Sequence, residues 1–234
     1  MNSYRKNAII VGVLFITATV TAILSGVFLG SILDPPDYLI NVPANETQVI
    51  IAMLLELICG VAVVGTGVML FPILKKHIEG LALGYVGIRL IEAIMLIVGS
   101  ISLLSLLTLS QEYVAGALDA SYYQPLGTLL LASRDWAHVF GTFIFLGLGG
   151  LPLNYLLYQS KLIPRWLSVW GLIGATLILL TGLLCLFGLS PASTTTTFLA
   201  APIAVQEMVF AVWLIVKGFN SSAIVSESAK ADIK

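Results

Sequence analysis

The sequence GYVGIRLIEAIMLIVG, residues Gly84–Gly99, places two charges inside an otherwise apolar run. The run extends from about residue 81 to residue 109, longer than the roughly 20 residues that a helix needs to cross a bilayer. Arg89 and Glu92 are three residues apart and therefore lie on nearly the same face of a helix. A charge at the centre of a membrane helix costs about 2.5–3.5 kcal/mol on insertion scales. The stretch therefore predicts a membrane helix whose charged groups pair, face a cavity or reach the interface.

The composition of the whole chain supports the same class of protein. Its 234 residues are 59% hydrophobic and 10% charged, with a mean hydropathy of +1.03, whereas soluble domains average about 25% charged. We expect an all-α, polytopic integral membrane bundle in contact with the lipid bilayer. The net charge of −1 gives no excess of positive charge for binding nucleic acid. Cys59 and Cys185 lie in apolar runs and are interpreted as small buried hydrophobic residues.

Six apolar segments are long enough to cross the membrane. They are continuous rather than alternating in hydropathy, and only helices or closed barrels span lipid, so we predict six helices. The helices form one domain over residues 1–220, followed by a polar tail, residues 221–234, that we expect to be disordered. The predicted spans are 7–33, 48–71, 81–109, 136–158, 166–188 and 198–218.

Three local features refine these helices. Residues 126–135 are predicted to be either an outer extension of the fourth helix or a partly re-entrant piece. Pro152 follows Gly149 and Gly150 and is expected to kink the same helix, because proline removes a backbone donor. The spacing Gly80-x-x-x-Gly84 permits close contact between helices.

The basic residues predict the orientation of the helices. Apart from Arg89 and Arg134, every Lys and Arg falls before the first helix, in the second and fourth connections, or at or beyond the end of the last helix, while the first and third connections hold Asp34, Asp37, Glu46, Glu112 and Asp119. Lys and Arg are enriched in cytoplasmic loops, so we expect both termini to be cytoplasmic. The residues that set this pattern are Arg5, Lys6, Lys75, Lys76, Lys161, Arg165, Lys217, Lys230 and Lys234.

The ionisable residues in or beside the spans are the candidate site. They comprise four acids, two arginines and one histidine, which leaves two excess negative charges unless the histidine is protonated. A low dielectric disfavours uncompensated carboxylates, so some of them must be protonated, pair with the histidine or bind a cation. The seven residues are Glu56, Arg89, Glu92, Arg134, Asp135, His138 and Glu207. Arg134 and Asp135 are the weaker candidates for the site, since both can be solvated outer-loop residues.

The depths of these groups follow from a helical rise of about 1.5 Å per residue. Glu92 lies roughly 18 Å and Glu207 roughly 15 Å from the cytoplasmic ends of their helices, so the two can share a level near the midplane. Arg89 can either extend to the cytoplasmic interface or pair with one of them. Glu56 lies higher, and His138 lies just below the outer boundary. Together the acids and His138 can line one polar path if their helices are neighbours.

Three functions are compatible with this inventory. The first is binding or transport of a small molecule, a cation or a proton through midplane carboxylates. The alternative is a structural or regulatory membrane protein whose buried charges only fix helix packing. A metal-assisted membrane hydrolase using His138, Asp135 and Glu56 is the third, and it is weakened because the chain has only two histidines and no Gly-x-Ser-x-Gly elbow. The sequence leaves the substrate, any cofactor and the oligomeric state open.

Short motifs along most of the chain resemble one family. The turn Ser160-Lys-Leu-Ile-Pro-Arg-Trp-Leu-Ser168, the stretch Arg89-Leu90-Ile91-Glu92, and Glu207 ahead of Trp213–Gly218 carry the resemblance. They resemble the prokaryotic membrane family known as domain of unknown function 4386. Ser168 stands where glycine is common in that family. The resemblance implies a six-helix protein of a prokaryotic plasma membrane, and it implies no activity.

Overall fold

The computed structural model describes residues 3–116, 120–220 and 223, and this part of the chain contains helices and turns but no strand. Apart from Ala223, the predicted tail 221–234 lies outside the described residues. One helical stretch has π-type hydrogen bonding, and we call it the π segment. The elements are α1 Ser3–Leu29, α2 Tyr38–Ala44, α3 Glu46–Leu74, α4 Glu79–Val114, α5 Ala120–His138, the π segment Val139–Phe145, α6 Leu146–Ser160, α7 Arg165–Leu186 and α8 Thr194–Val216.

In the described part, six helices are long and apolar enough to cross a membrane. The fourth of these spans is composite, because α5, the π segment and α6 run on without a break from Ser121 to Ser160. The predicted all-helical class with six such helices is therefore confirmed. Helix α2 has seven residues and is too short to cross.

The six long spans form a closed ring in chain order. Helix α1 packs against α3, α3 against α4, and α4 against α5, the π segment and α6. The ring continues from α6 to α7 and α8, and α8 returns to α1. Each span thus contacts its two neighbours in the ring, and polar side chains that point inward from different spans can meet at the centre.

The start of α1 and the end of α8 lie together at one end of this ring. The Arg5 guanidinium donates hydrogen bonds to the last carbonyl groups of α8, those of Leu214 at 3.0 Å, Ile215 at 2.6 Å and Val216 at 3.2 Å. A cation at a helix C-terminus satisfies orphan carbonyl groups and complements the helix dipole. Gly218 ends α8 with φ +75°, a backbone conformation that favours glycine. We call this end of the molecule the basic side, and the other end the opposite side.

Two apolar cores lie above and below the ring centre. The core on the basic side is built around Tyr85 and the edge-on pair Phe15–Phe210, whose ring centroids are 5.4 Å apart. The core on the opposite side is built around Tyr38, Leu103 and Tyr123 and comes from α1 to α5. Because lipid tails are as apolar as leucine, close packing rather than water exclusion favours such contacts within a membrane.

The outer part of the composite span is the first of its two predicted alternatives, a helical extension. Residues 126–135 lie in the continuous helix α5. Pro152 lies inside α6, and the irregular hydrogen bonding comes earlier, in the π segment, where the Leu146 amide bonds the carbonyl of Gly141. A Cβ atom at Gly141 would lie 3.1 Å from Met95 Cβ, so the widened turn lies directly against α4. Such π turns are frequent at functional sites.

Candidate functional site

A first polar cluster is built around the buried carboxylate of Glu56 on α3. Its Oε1 accepts hydrogen bonds from Arg134 Nη2 at 2.6 Å and from Ser25 Oγ at 3.2 Å. Its Oε2 accepts a hydrogen bond from Ser100 Oγ at 2.9 Å. His138 Nε2 lies 3.4 Å from Oε1. We call these five residues the Glu56 cluster, and in it one carboxylate has partners from α1, α4 and α5.

The shape of α4 makes room for the histidine of this cluster. A Cβ atom at Gly99 would lie 3.2 Å from both Cδ2 and Nε2 of His138. Real Cβ contacts are rarely so short, so glycine at this position lets the imidazole lie against α4. His138 is also the last residue before the π segment, and the widened turn that follows contributes Thr142 and Phe143 to the same region.

A second polar cluster is built around the guanidinium of Arg89 on α4. Nη1 donates to both oxygens of Glu92, at 3.1 and 2.9 Å, and Nη2 donates to Glu207 Oε1 at 3.2 Å. Nε donates to the Tyr85 hydroxyl at 3.0 Å, which lies 3.4 Å from Thr66 Oγ1. We call these five residues the Arg89 cluster. One cation here is shared by two carboxylates, which come from α4 and α8.

Arg89 is buried rather than extended to the interface, with 3% of its surface exposed. Its guanidinium carbon lies 5.4 Å from the ring centroids of Phe15 and Tyr85, within the range of cation–π attraction. A Cβ atom at Gly67 would lie 3.4 Å from Arg89 Cβ, so α3 lies close beside the arginine. Of the two alternatives left by the sequence, the structure has the pairing, with both Glu92 and Glu207.

Both clusters line one cavity of about 540 Å³ at the centre of the ring. Along α3 the ten residues from Glu56 to Thr66 separate the clusters by roughly 15 Å. Apolar and small side chains form most of the wall between them. The lining includes Phe15, Ala18, Ala22, Cys59, Val63, Leu96, Phe143, Leu146, Ile178, Ala200 and Ile203.

The cavity reaches the surface of the bundle between the opposite-side halves of α1 and α8. On α1 it is lined by Ile23, which is 61% exposed, and by Gly26, where an added Cβ atom would meet nothing within 4 Å. On α8 it is lined by the exposed Ala204. The basic-side halves of these helices are in close contact, since a Cβ atom at Gly12 would lie 2.6 Å from the carbonyl oxygen of Ala211.

The charges of the cavity wall do not cancel. Three carboxylates, those of Glu56, Glu92 and Glu207, face the guanidinium groups of Arg89 and Arg134. With a neutral His138 the net charge of the cavity wall is −1, whereas the seven candidate residues predicted from the sequence sum to −2. The reason is that adjacent residues of a helix point in different directions, so Arg134 faces the cavity while its neighbour Asp135 does not.

A family comparison covers nearly all of this architecture. The model of a domain of unknown function, DUF4386, matches residues 10–218. The chain belongs to the DUF4386 family. The match includes every residue of both clusters, and it confirms the resemblance carried by the Arg89–Glu92 stretch and the Ser160–Ser168 turn. No curated protein and no solved structure matches the chain.

Of the seven predicted site residues of this DUF4386 chain, six line the central cavity and one does not. The six are Glu56, Arg89, Glu92, Arg134, His138 and Glu207. Asp135 is exposed and lines a separate surface pocket beside His138 and Pro191. The second histidine, His77, lies in the connection between α3 and α4, where partial burial and then the charge of Lys76 lower its pKa.

The donor set of the Glu56 cluster does not suit a metal ion. The Arg134 guanidinium occupies Glu56 Oε1 and places a positive charge where a metal would lie. Within residues 3–116, 120–220 and 223, no three His, Cys, Asp or Glu side chains are grouped so that they could hold a metal. The residues grouped for the hydrolase hypothesis are also divided, because Asp135 points away from Glu56.

The sequence did not indicate several polar partners in the DUF4386 chain. Ser25 and Ser100 bond Glu56, but single serines are common in membrane helices and carry no pattern. Asn154 and Gln206 are both buried, and Gln206 Nε2 lies 3.4 Å from Asn154 Oδ1 and donates to the Leu167 carbonyl at 3.3 Å. A neutral amide inside a long apolar run was the available signal for this pair, because a buried amide needs a partner.

Proposed function

We propose that this protein binds, and as a membrane carrier moves, a small amphipathic molecule with a single positive charge. The observation that supports this proposal most strongly is the central cavity, whose carboxylates outnumber its guanidinium groups by one. A ligand with one positive charge makes the cavity neutral, and apolar walls suit the rest of such a ligand. The cavity volume of about 540 Å³ is also within the range of small-molecule sites.

Glu207 is the carboxylate that we assign to the ligand. In the described part of the chain only its Oε1 accepts a hydrogen bond, from Arg89, whereas both oxygens of Glu92 and of Glu56 are bonded. Its side chain is also more exposed than that of Glu92, at 17% against 7%. Glu207 Oε2 is therefore the acceptor at which an ammonium group binds with the least rearrangement.

A proton is the natural competitor for this site. Protonation of Glu207 or Glu92 also makes the cavity neutral, so the empty site favours one bound proton in a low dielectric. A bound cation replaces that proton. Exchange of the two at one carboxylate pair is a simple basis for coupling the movement of the molecule to the movement of a proton.

The shape of the cavity favours entry from the opposite side or from the membrane. The packed core around Tyr85 and the Phe15–Phe210 pair closes the basic side below Arg89. On the opposite side, the cavity reaches the surface between Gly26 and Ala204. A carrier alternates access to a central site, so the contact of α1 with α8 near Gly12 is the part that would have to open.

Binding of two probes of equal size tests the charge requirement. We expect 1-adamantylamine to bind the purified protein in phosphatidylcholine nanodiscs more tightly than 1-adamantanol. Loss of a charged hydrogen bond costs about 1.5–3 kcal/mol, so Glu207→Gln should weaken amine binding by about 10–100-fold and leave alcohol binding unchanged. Titration calorimetry at about pH 7.5, where His77 is neutral, measures both.

The matched control is Glu112→Gln, the same substitution at an exposed position near the end of α4. It should leave the binding of both probes unchanged. Equal affinity of the wild-type protein for amine and alcohol would contradict the proposal, and so would an undiminished preference in Glu207→Gln.

The second candidate function is a structural one, and the bonded carboxylate of Glu56 favours it for that half of the cavity. Both oxygens of Glu56 are already bonded, so this carboxylate presents no free acceptor to a ligand. Among the described residues, the buried Nε of Arg134 and Nε2 of His138 have no hydrogen-bond partner. If the whole protein were structural, no probe would bind, and Glu207→Gln would change only the unfolding temperature.

A further inference from the structure

A groove on the basic side is lined by three cations that the proposed cavity does not use. It has a volume of about 660 Å³ and lies between the α6–α7 turn and the end of α8. Lys161 and Arg165 come from the turn, and Lys217 comes from the end of α8. All three side chains are exposed, and none forms an ion pair with a described residue.

The backbone holds these cations together. Lys161 caps the end of α6 in the left-handed conformation, with φ +55°, and Pro164 caps the start of α7. The Asn220 amide donates a hydrogen bond to the Leu162 carbonyl at 2.8 Å, which ties the chain after α8 to the turn. In the described part of the chain, no Asp or Glu lines the groove. The groove is therefore a basic concavity with a fixed wall.

An apolar groove continues from the basic one along the outer face of α8. It has a volume of about 410 Å³ and is lined by Met208, Val209, Val212 and Val216. Trp213 and Lys217 line both grooves and so form the junction between them. Val212 and Val216 are 53% and 62% exposed and face the surroundings of the bundle.

We propose that the two grooves together bind one anionic phospholipid from the leaflet on the basic side. The phosphate lies among Lys161, Arg165 and Lys217, and one acyl chain lies along α8 past Val212. Charge complementarity selects an anionic head group, and the continuous apolar groove selects a lipid over a free phosphate. Tryptophan prefers the level of the head groups, which is where Trp213 joins the two parts.

Native mass spectrometry of the purified protein with added lipids tests this site. We expect phosphatidylglycerol to bind more tightly than phosphatidylcholine with the same acyl chains. Each basic residue near a lipid surface contributes roughly fivefold in affinity, so Lys161→Gln with Lys217→Gln should weaken phosphatidylglycerol binding by about 25-fold. The double variant Lys161→Arg with Lys217→Arg should retain it, which separates loss of charge from loss of folding.

The matched control removes two charges from the same side of the protein. Lys6→Gln with Lys75→Gln changes exposed residues that do not line the groove and should leave phosphatidylglycerol binding within about twofold, because salt screens charges that make no direct contact. An equal loss in this control would overturn the proposal, because it would indicate adsorption by net charge.

The apolar groove has its own test. Val212→Trp fills the groove and should weaken binding of long-chain phosphatidylglycerol, with no effect on the binding of the cavity probe 1-adamantylamine. Equal binding of the two phospholipids by the wild-type protein would overturn the proposal. Displacement of the lipid by glycerol phosphate at the same concentration would also overturn it, because the head group alone would then account for binding.

Discussion

The Glu56 cluster and the Arg89 cluster use the same residue types in opposite proportions. In the first, one carboxylate has two basic neighbours and two serine donors. In the second, one guanidinium serves two carboxylates. In the first, one carboxylate is matched by one guanidinium group, while the second has one carboxylate more than it has guanidinium groups. Burial of charge is therefore common to both clusters, and it is the unmatched carboxylate of the Arg89 cluster on which the proposed function depends.

The largest loss of stability should come from removing the cation that Glu92 and Glu207 share. Arg89→Gln leaves Glu92 and Glu207 without a counter-charge inside the bundle, and breaking a buried ion pair from one side costs about 3–5 kcal/mol. We expect a marked fall in the unfolding temperature, measured by thermal denaturation of the protein in detergent.

A compensating variant tests the cause of that fall. Adding Glu92→Gln and Glu207→Gln to Arg89→Gln makes the cluster neutral and should recover much of the lost stability. If the triple variant were no more stable than Arg89→Gln alone, uncompensated charge would not be the reason.

A smaller loss of stability is expected from a substitution in the Glu56 cluster. Glu56→Gln removes the charge that holds Arg134, and a hydrogen bond to a charged group contributes about 1.5–3 kcal/mol. Arg134 is 12% exposed at its side chain, so it can turn towards solvent more easily than Arg89, at 4%. Thermal denaturation with Glu112→Gln as control measures the difference. A loss as large as that of Arg89→Gln would remove the distinction between the clusters.

The sequence predicted the six long helices and six of the charged residues and histidines that line the cavity. Long apolar runs make the six spans evident, and the spacing of Arg89 and Glu92 puts them on one face. Counting residues along the helices brought Glu207 to the level of Glu92, and in the structure both carboxylates bond the Arg89 guanidinium. The hydrolase hypothesis grouped Glu56 with His138, and the structure places His138 Nε2 3.4 Å from Glu56 Oε1. It also grouped Asp135, which lines a separate surface pocket.

Glycine spacing was a poorer guide than charge. Gly80-x-x-x-Gly84 predicted a close helix contact, yet an added Cβ atom at either position would meet nothing within 4 Å. The glycines that do lie at helix contacts include Gly12 and Gly174, which have no matching glycine four residues away. A close approach depends on the residue across the interface, and a single helix sequence does not contain that information.

The smallest predicted effect tests whether the fit of His138 matters to the Glu56 cluster. Gly99→Ala and Gly87→Ala are the same change on the same helix. At Gly87 an added Cβ atom meets nothing, so alanine should stabilise α4 by roughly 0.5–1 kcal/mol through its helix propensity. At Gly99 the new methyl group presses on the imidazole at 3.2 Å, and overpacking offsets that gain. We therefore expect thermal denaturation to show a higher unfolding temperature for Gly87→Ala, and no gain or a loss for Gly99→Ala.

A second background tests the cause of this difference. In Glu56→Gln the imidazole no longer faces a carboxylate and can move aside, so Gly99→Ala should raise the unfolding temperature nearly as much as Gly87→Ala does. If the two alanine variants already gave equal gains in the wild-type protein, the imidazole would be free to move, and His138 would have no part in fixing Glu56.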